Sequence, residues 1–213
     1  MQGVKRGVFI TFEGVEGSGK TTQAEALVDW LQQKKVPHIF VREPGGTRIG
    51  EKIREILLNL EHREMHPKCE VLLFLAARSQ LSYERILPAI QGKKVVVSDR
   101  FADSTYAYQT HARGLPERLM AVFNRFATAG IKPDLTFIVD VDVTKGRERG
   151  TVYDRMETED EQYHQKVRNG YMRLARRAKK RIKVLDGEKS IDALKSEVVH
   201  YVQEFLTRKG YTL

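Results

Sequence analysis

Short apolar runs alternate with longer amphipathic stretches along the whole chain. The runs Val8–Phe12, His38–Arg42, Val95–Ser98, Leu135–Val141 and Ile182–Leu185 are strand-like, and several are apolar at consecutive positions. Consecutive apolar residues fit strands covered on both faces, whereas a half-exposed strand alternates. Between them, helical patterning predicts helices near Lys20–Lys34, Ile49–Leu58, Cys69–Ile90, Ser104–Ala127, Glu161–Lys179 and Ile191–Arg208. This order predicts an α/β fold with a parallel sheet of about five strands, right-handed crossovers and helices on both faces. No repeat, low-complexity linker or composition shift divides the chain, so residues 1–213 read as one domain. Ligands of such sheets bind beyond the carboxyl ends of the strands.

Composition adds limits. Hydrophobic residues make up 41% and charged residues 31% of 213, the profile of a soluble globular protein. No apolar run approaches the ~20 residues of a membrane span. The N-terminal apolar stretch is shorter than a signal-peptide core, and a cytoplasmic enzyme is expected. One cysteine, Cys69, excludes an intrachain disulfide and a cysteine-rich metal site. Beside Glu70 and Val71 at the start of an apolar helix, it reads as a small buried residue. The formal charge of +9 asks for an anionic partner, either nucleic acid or phosphorylated small molecules. Much of the excess lies in Arg168 to Lys183, where a solvated helix face with basic stems over apolar neighbours accounts for it. Charge does not choose between the two partners.

Gly14-Val15-Glu16-Gly17-Ser18-Gly19-Lys20-Thr21 matches GxxxxGK[ST] and lies between a predicted strand and a predicted helix. Glycines let backbone N–H groups curl around a phosphate, and the new helix points its positive end at the same group. Lys20 then reaches the β- and γ-oxygens of the nucleotide, and the Thr21 hydroxyl is a Mg²⁺ ligand. The motif names ATP or GTP. Switch GTPases also need DxxG and NKxD segments, and neither occurs in this chain.

Val95 to Phe101 ends a predicted buried strand in Asp99-Arg100. Asp99 stands where a Walker-B carboxylate approaches the metal, and Arg100 offers a planar fork suited to phosphate oxygens. A structural ion pair between the two is the alternative.

Arg42-Glu43-Pro44-Gly45-Gly46-Thr47, Asp99-Arg100-Phe101 and Ser104-Thr105-Tyr106-Ala107-Tyr108-Gln109 resemble motifs of the bacterial thymidylate kinases, in family order from the first strand to the C-terminal helix. The resemblance implies a P-loop kinase that transfers the γ-phosphoryl group of Mg·ATP to dTMP. It also implies a homodimer, with no specific nucleic acid and no membrane as partner. A sister nucleotide or deoxynucleoside kinase would lack the first and third motifs, and a DNA-associated ATPase would use the basic helix.

The same resemblance assigns the acceptor site. Phe74 stacks on the base and Arg78 donates to its O4; their i,i+4 spacing puts both on one helix face, a spacing equally compatible with core packing and a surface ion pair. Thr105 and Gln109 bond the base edge, and Tyr108 fills the place of a ribose 2′-OH. Ser104 is either a contact or a helix N-cap. Arg54 and Arg100 hold the monophosphate, with Glu43 near the sugar hydroxyl and the metal. Arg54 lies off its helix's apolar stripe, which suits a ligand or a solvated side chain.

Some family members carry an arginine in the P-loop after the acidic residue; here Gly17 follows Glu16, and the charge is expected from a mobile lid at about residues 146–158. Its arginines are Arg147, Arg149 and Arg155, and Gly150 is a hinge candidate. Arg149 is favoured, because Asp154 and Glu157 flank Arg155 and a short helix holds Arg147. The expected catalytic set is Lys20, Arg100, Asp99, Arg149 and Glu16, with Thr21 and Asp99 on the metal.

Overall fold

The computed structural model describes residues 6–150 and 154–213; residues 151–153 of the expected lid lie outside the described residues. In chain order the elements are β1 (Val8–Glu13), α1 (Lys20–Gln33), β2 (His38–Arg42), α2 (Arg48–Leu58), α3 (Pro67–Leu81), α4 (Leu87–Gln91), β3 (Val95–Asp99), α5 (Ala102–Thr105), α6 (Glu117–Ala127), β4 (Leu135–Asp140), α7 (Val143–Arg149), α8 (Glu161–Arg177), β5 (Ile182–Asp186) and α9 (Ile191–Arg208). The five strands pair in parallel in the order β2-β3-β1-β4-β5.

Two cores explain the consecutive apolar residues. Ile10 and Phe12 of β1 face one core with Leu27 and Trp30 of α1 and Val198 and Val202 of α9. Phe9 faces the other, with Leu81 of α3, Ile90 of α4 and Phe101. Both pleat faces of β1 are thus covered, and all six of its residues are buried, the polar Thr11 and Glu13 on the Phe9 face included. Register sets the site: Phe12 and Arg42 both lie opposite Asp99, so the loops after β1, β2 and β3 leave the sheet side by side.

Three expectations change. The helix expected over Cys69–Ile90 is α3, a π-helical turn over Ser82–Ile86, and α4. Pro88 has no N–H to donate and its ring crowds the carbonyl four residues earlier, so the wider turn takes up the mismatch. The helix expected over Ser104–Ala127 is α5, a π-helical segment Tyr106–Ala112, and α6. Gly114, at φ 75, and Pro116 end the first part and start the second. Cys69 is exposed rather than buried, because α3 turns its neighbours Glu70 and Val71 inward.

Candidate active site

The donor side is built by the turn from β1 into α1. Gly14, Gly17 and Gly19 have φ of 148, 66 and 88°, the region where a side chain is strained. A cavity beside this turn is lined by Gly17 to Thr21, by Arg149 and Gly150, by Gly187 and Lys189 between β5 and α9, and by Ile191 at the start of α9. The Lys20 ammonium is buried and bonds the Glu16 carboxylate at 2.9 Å. Burial works against an ionised Glu16, but Lys20 and Arg100 outweigh it and hold it at about 2. Thr21 Oγ1 donates to Asp99 Oδ2 at 2.5 Å, while Asp99 Oδ1 is buried with no partner among the described residues.

The acceptor side is a second cavity. Its walls include Glu16, Glu43, Arg54, Phe74, Arg78, Arg100, Ser104, Tyr108 and Gln109. An α-helical period would put Thr105, Tyr108 and Gln109, at i, i+3 and i+4, on one face. The π-helical turn has a longer period, so Ser104, Tyr108 and Gln109, at i, i+4 and i+5, share the wall instead. Thr105 is not among the lining residues; it is buried and bonds Arg78 Nη1 at 2.5 Å.

Arg78 is buried, not a surface group. Its nitrogens donate to Glu43 at 2.7 Å, Thr105 at 2.5 Å, Asn124 at 2.7 Å and the Phe101 carbonyl at 3.0 Å. Burial pushes the Glu43 carboxyl up despite Arg78, and Glu43 Oε1 has no partner. Arg54 donates to the Pro44 carbonyl at 2.9 Å, and Glu51 ties the same turn to α2 by accepting from Gly46 N at 2.7 Å and Arg42 at 2.9 Å.

Arg100 stands between the cavities, with φ 68. A non-glycine residue held there costs of order 1–3 kcal/mol, and its surroundings must hold it. They do: its N–H bonds the Phe12 carbonyl at 2.9 Å, and its guanidinium bonds Gly14 O at 2.9 Å, Tyr171 Oη at 3.1 Å and Glu16 at 3.2 Å. It also lies 5.2 Å from the Tyr108 ring centroid.

Sequence reading missed Glu13 and Tyr171. The Glu13 carboxylate is fully buried and accepts from Phe101 N at 2.8 Å, Ser104 Oγ at 2.6 Å and Tyr171 Oη at 3.0 Å. Burial, helped by Asp103, pushes its pKa up to about 7. A lone glutamate ending an apolar strand was the available signal; its partners lie 88, 91 and 158 positions away.

The lid arginines separate. Arg147 and Arg149 both belong to α7, so helix membership does not distinguish them. Arg149 lines the donor cavity and donates to the Gly187 carbonyl at 2.9 Å. Arg155 is committed, though not to Asp154 or Glu157: it is buried and bonds the Leu57 carbonyl at 2.8 Å and Glu70 at 2.9 Å. Asp154 and Glu157 line the acceptor cavity, and burial raises Glu157 to about 7.

A strand–P-loop–helix beside a second cavity, with Glu16 on the wall of both, defines a P-loop nucleotide kinase. A family model described as thymidylate kinase matches residues 12–198. The thymidylate kinase of Kosmotoga olearia is 44% identical over 209 residues, covering 97% of this chain and 100% of that relative. That of Symbiobacterium thermophilum is 43% identical over 204 residues, covering 95% of each. The crystal structure of thymidylate kinase from Ehrlichia chaffeensis matches with a TM-score of 0.76 at 32% identity, covering 92% of this chain and 98% of that one. The chain belongs to the thymidylate kinase family.

Proposed function

We propose that the chain transfers the γ-phosphoryl group of ATP to dTMP, giving dTDP and ADP, by in-line displacement at the junction of the two cavities. The observation that carries this reading is the Glu16 carboxylate, bonded to Lys20 on the donor side at 2.9 Å and to Arg100 on the acceptor side at 3.2 Å. A phosphoryl group passing between the cavities crosses the space between two cations. Phosphoryl transfer asks the protein for such positioning and charge neutralisation rather than for covalent chemistry. Lys20, Arg100, Arg149 and Asp99 are the groups we assign to it; Arg54 and Arg100 hold the acceptor phosphate, and Phe74, Tyr108 and Gln109 hold its nucleoside.

Thr21 and Asp99 fit Mg²⁺. Both offer hard oxygen donors, and the partnerless Asp99 Oδ1 is available to a metal-bound water. Mg²⁺ takes few protein ligands and fills its shell from phosphates and water. When bound it neutralises charge on the donor phosphates. Ile191, exposed at the rim of the donor cavity, supports a contact with the donor base.

We also propose a homodimer through α3 and α6. Leu119, Val122 and Phe126 lie at i, i+3 and i+7 of α6 and are exposed beside exposed Leu72 of α3, with Phe126 at 82%. A monomer does not ordinarily leave such a row open. Phe126→Glu should shift the sedimenting species from dimer to monomer. No helix among the described residues is long and apolar enough to cross a membrane, and we assign the chain to the cytoplasm, where its nucleotide substrates are.

ADP release measured over dTMP, dUMP, dCMP, thymidine and DNA as acceptors tests the reaction. dTMP should give the highest kcat/KM. Preference for thymidine would indicate a nucleoside kinase, and DNA-stimulated hydrolysis a DNA-associated ATPase.

A further inference from the structure

Glu70 is completely buried on α3, one turn before Phe74. Its Oε1 accepts from Gln109 Nε2 at 3.1 Å, and its Oε2 accepts from Arg113 Nη2 at 3.1 Å and Arg155 Nη2 at 2.9 Å. Arg113 is held in turn by Glu159 at 2.6 Å, and Arg155 by the Leu57 carbonyl at 2.8 Å. Two separate parts of the chain, the π-helical segment with its C-cap Arg113 and the stretch holding Arg155, thus fix this carboxylate in place.

A carboxylate faced by two guanidinium groups can only accept hydrogen bonds. An amide beside it must therefore present nitrogen, which decides between two orientations that shape alone leaves open. Gln109 is 3% exposed and lines the acceptor cavity. With Nε2 held by Glu70, its Oε1 is the atom left for the cavity, and it accepts no hydrogen bond among the described residues.

We propose that Glu70 sets the base selectivity of the acceptor site by holding the Gln109 amide with its carbonyl oxygen toward the base. This rests on the dTMP reading above. A thymine or uracil ring carries N3–H, a donor that matches this oxygen; a cytosine ring carries a lone pair at N3 and sets acceptor against acceptor. Sites that match a substrate's hydrogen-bonding group reject the analogue lacking it far more strongly than apolar pockets reject a missing methyl. Glu70 is a positioning residue: it acts through Gln109.

The test is Glu70→Gln in the full-length enzyme, with kcat/KM measured separately for dTMP and dCMP. A glutamine at 70 can offer either oxygen or nitrogen, so Gln109 is free to turn. The dTMP:dCMP ratio should fall by about tenfold or more. A common loss for both acceptors with the ratio intact means that Glu70 only holds Arg113 and Arg155, and overturns the proposal. Gln109→Ala reads the same effect should Glu70→Gln prove poorly folded in a thermal melt. Its ratio should fall as well, and combining the two changes should lower the ratio no further. An unchanged ratio in Gln109→Ala overturns the proposal. A wild-type enzyme that turns over dTMP while both variants keep its base preference defeats this inference alone; a wild type inactive toward dTMP defeats the reading beneath it.

Discussion

Replacing Gly17 by alanine puts a Cβ into the backbone of α7. The new carbon would overlap the Gly146 carbonyl oxygen, lie 2.7 Å from its carbonyl carbon and 3.1 Å from Gly150 N. None of these is a flexible side-chain end, so either the P-loop or α7 must move. The approach is reciprocal: a Cβ on Gly146 would come 2.7 Å from the Glu16 carbonyl oxygen. Two costs add at Gly17. Its φ of 66° costs an alanine about 1–2 kcal/mol. Overpacking against rigid backbone adds about 1–3 kcal/mol. Gly130 separates them, since its φ is 74° and nothing lies within 4 Å of its missing Cβ. Gly130→Ala should show the backbone cost alone in urea unfolding without nucleotide; Gly17→Ala should exceed it by the packing cost. The catalytic consequence follows from geometry. Arg149 is the last residue of α7, and displacing that helix by about 1 Å should cost on the order of 100-fold in kcat. Steady-state ADP release at saturating ATP and dTMP measures this. Equal destabilisation of the two variants, together with wild-type kcat in Gly17→Ala, would refute the reasoning.

Arg149→Ala should lower kcat about 10³-fold with KM for dTMP nearly unchanged, and lysine should rescue it only in part, since it keeps charge but loses the fork; near-wild-type kcat would move the role elsewhere. Glu13→Gln should change the pH dependence of stability. With a folded pKa near 7, Glu13 keeps a proton that the unfolded chain has lost above its ordinary range near 4.5, so wild-type stability falls as pH rises through that window. The variant should fall less over pH 5 to 7.5, and parallel urea midpoints would show that Glu13 does not titrate there. Glu16, held at about 2, has the opposite sign: its contribution is present above 4.5 and is lost as pH falls toward 2. Tyr108→Ala should raise the ribo- to deoxyribo-acceptor ratio while lowering overall activity, because its ring also lies against Arg100; an unchanged ratio would leave only packing to Tyr108.

The parts legible in sequence are those fixed by local rules. GxxxxGK[ST] prescribes its own backbone, and consecutive apolar residues in β1 and β3 announce strands buried on both faces. The turn at Arg113–Pro116 is legible too, because Gly114 and Pro116 break the helix expected over Ser104–Ala127. The π-helical segment was not: Tyr106 to Ala112 carries no breaker, and an α-helical period is the natural assumption for it. An α-helical period puts Thr105 on one face with Tyr108 and Gln109, whereas the wider turn leaves it beside Arg78. The arginines failed differently. Arg155 lies between two acidic neighbours, and local charge pairing suggests them as its partners. In the fold its acceptors are Glu70, 85 positions away, and the Leu57 carbonyl. Asp154 and Glu157 are only partly buried and keep some of their water, whereas the fully buried Glu70 carboxylate needs a partner, so it takes the guanidinium.

The same principle accounts for the centre of the site. Arg100 is the cation we assign to the acceptor phosphate and to the phosphoryl group in transfer, yet a guanidinium on a loop with positive φ has little reason of its own to keep one position. It is held by the P-loop through Gly14 and Glu16, by the acceptor wall through Tyr108, and by α8 through the Tyr171 hydroxyl. Tyr171 is oriented in turn by Glu13 and Ser104, at 3.0 and 2.9 Å. α8 can bring Tyr171 this close because Gly170 faces the π-helical segment. A Cβ there would lie 2.9 Å from Ala107 Cα and 3.0 Å from His111 Cβ. Donor loop, acceptor wall and the helix following the lid therefore meet in one guanidinium. A change that tilts α8 alters the acceptor wall and the phosphate cation together, and cannot loosen one while leaving the other set.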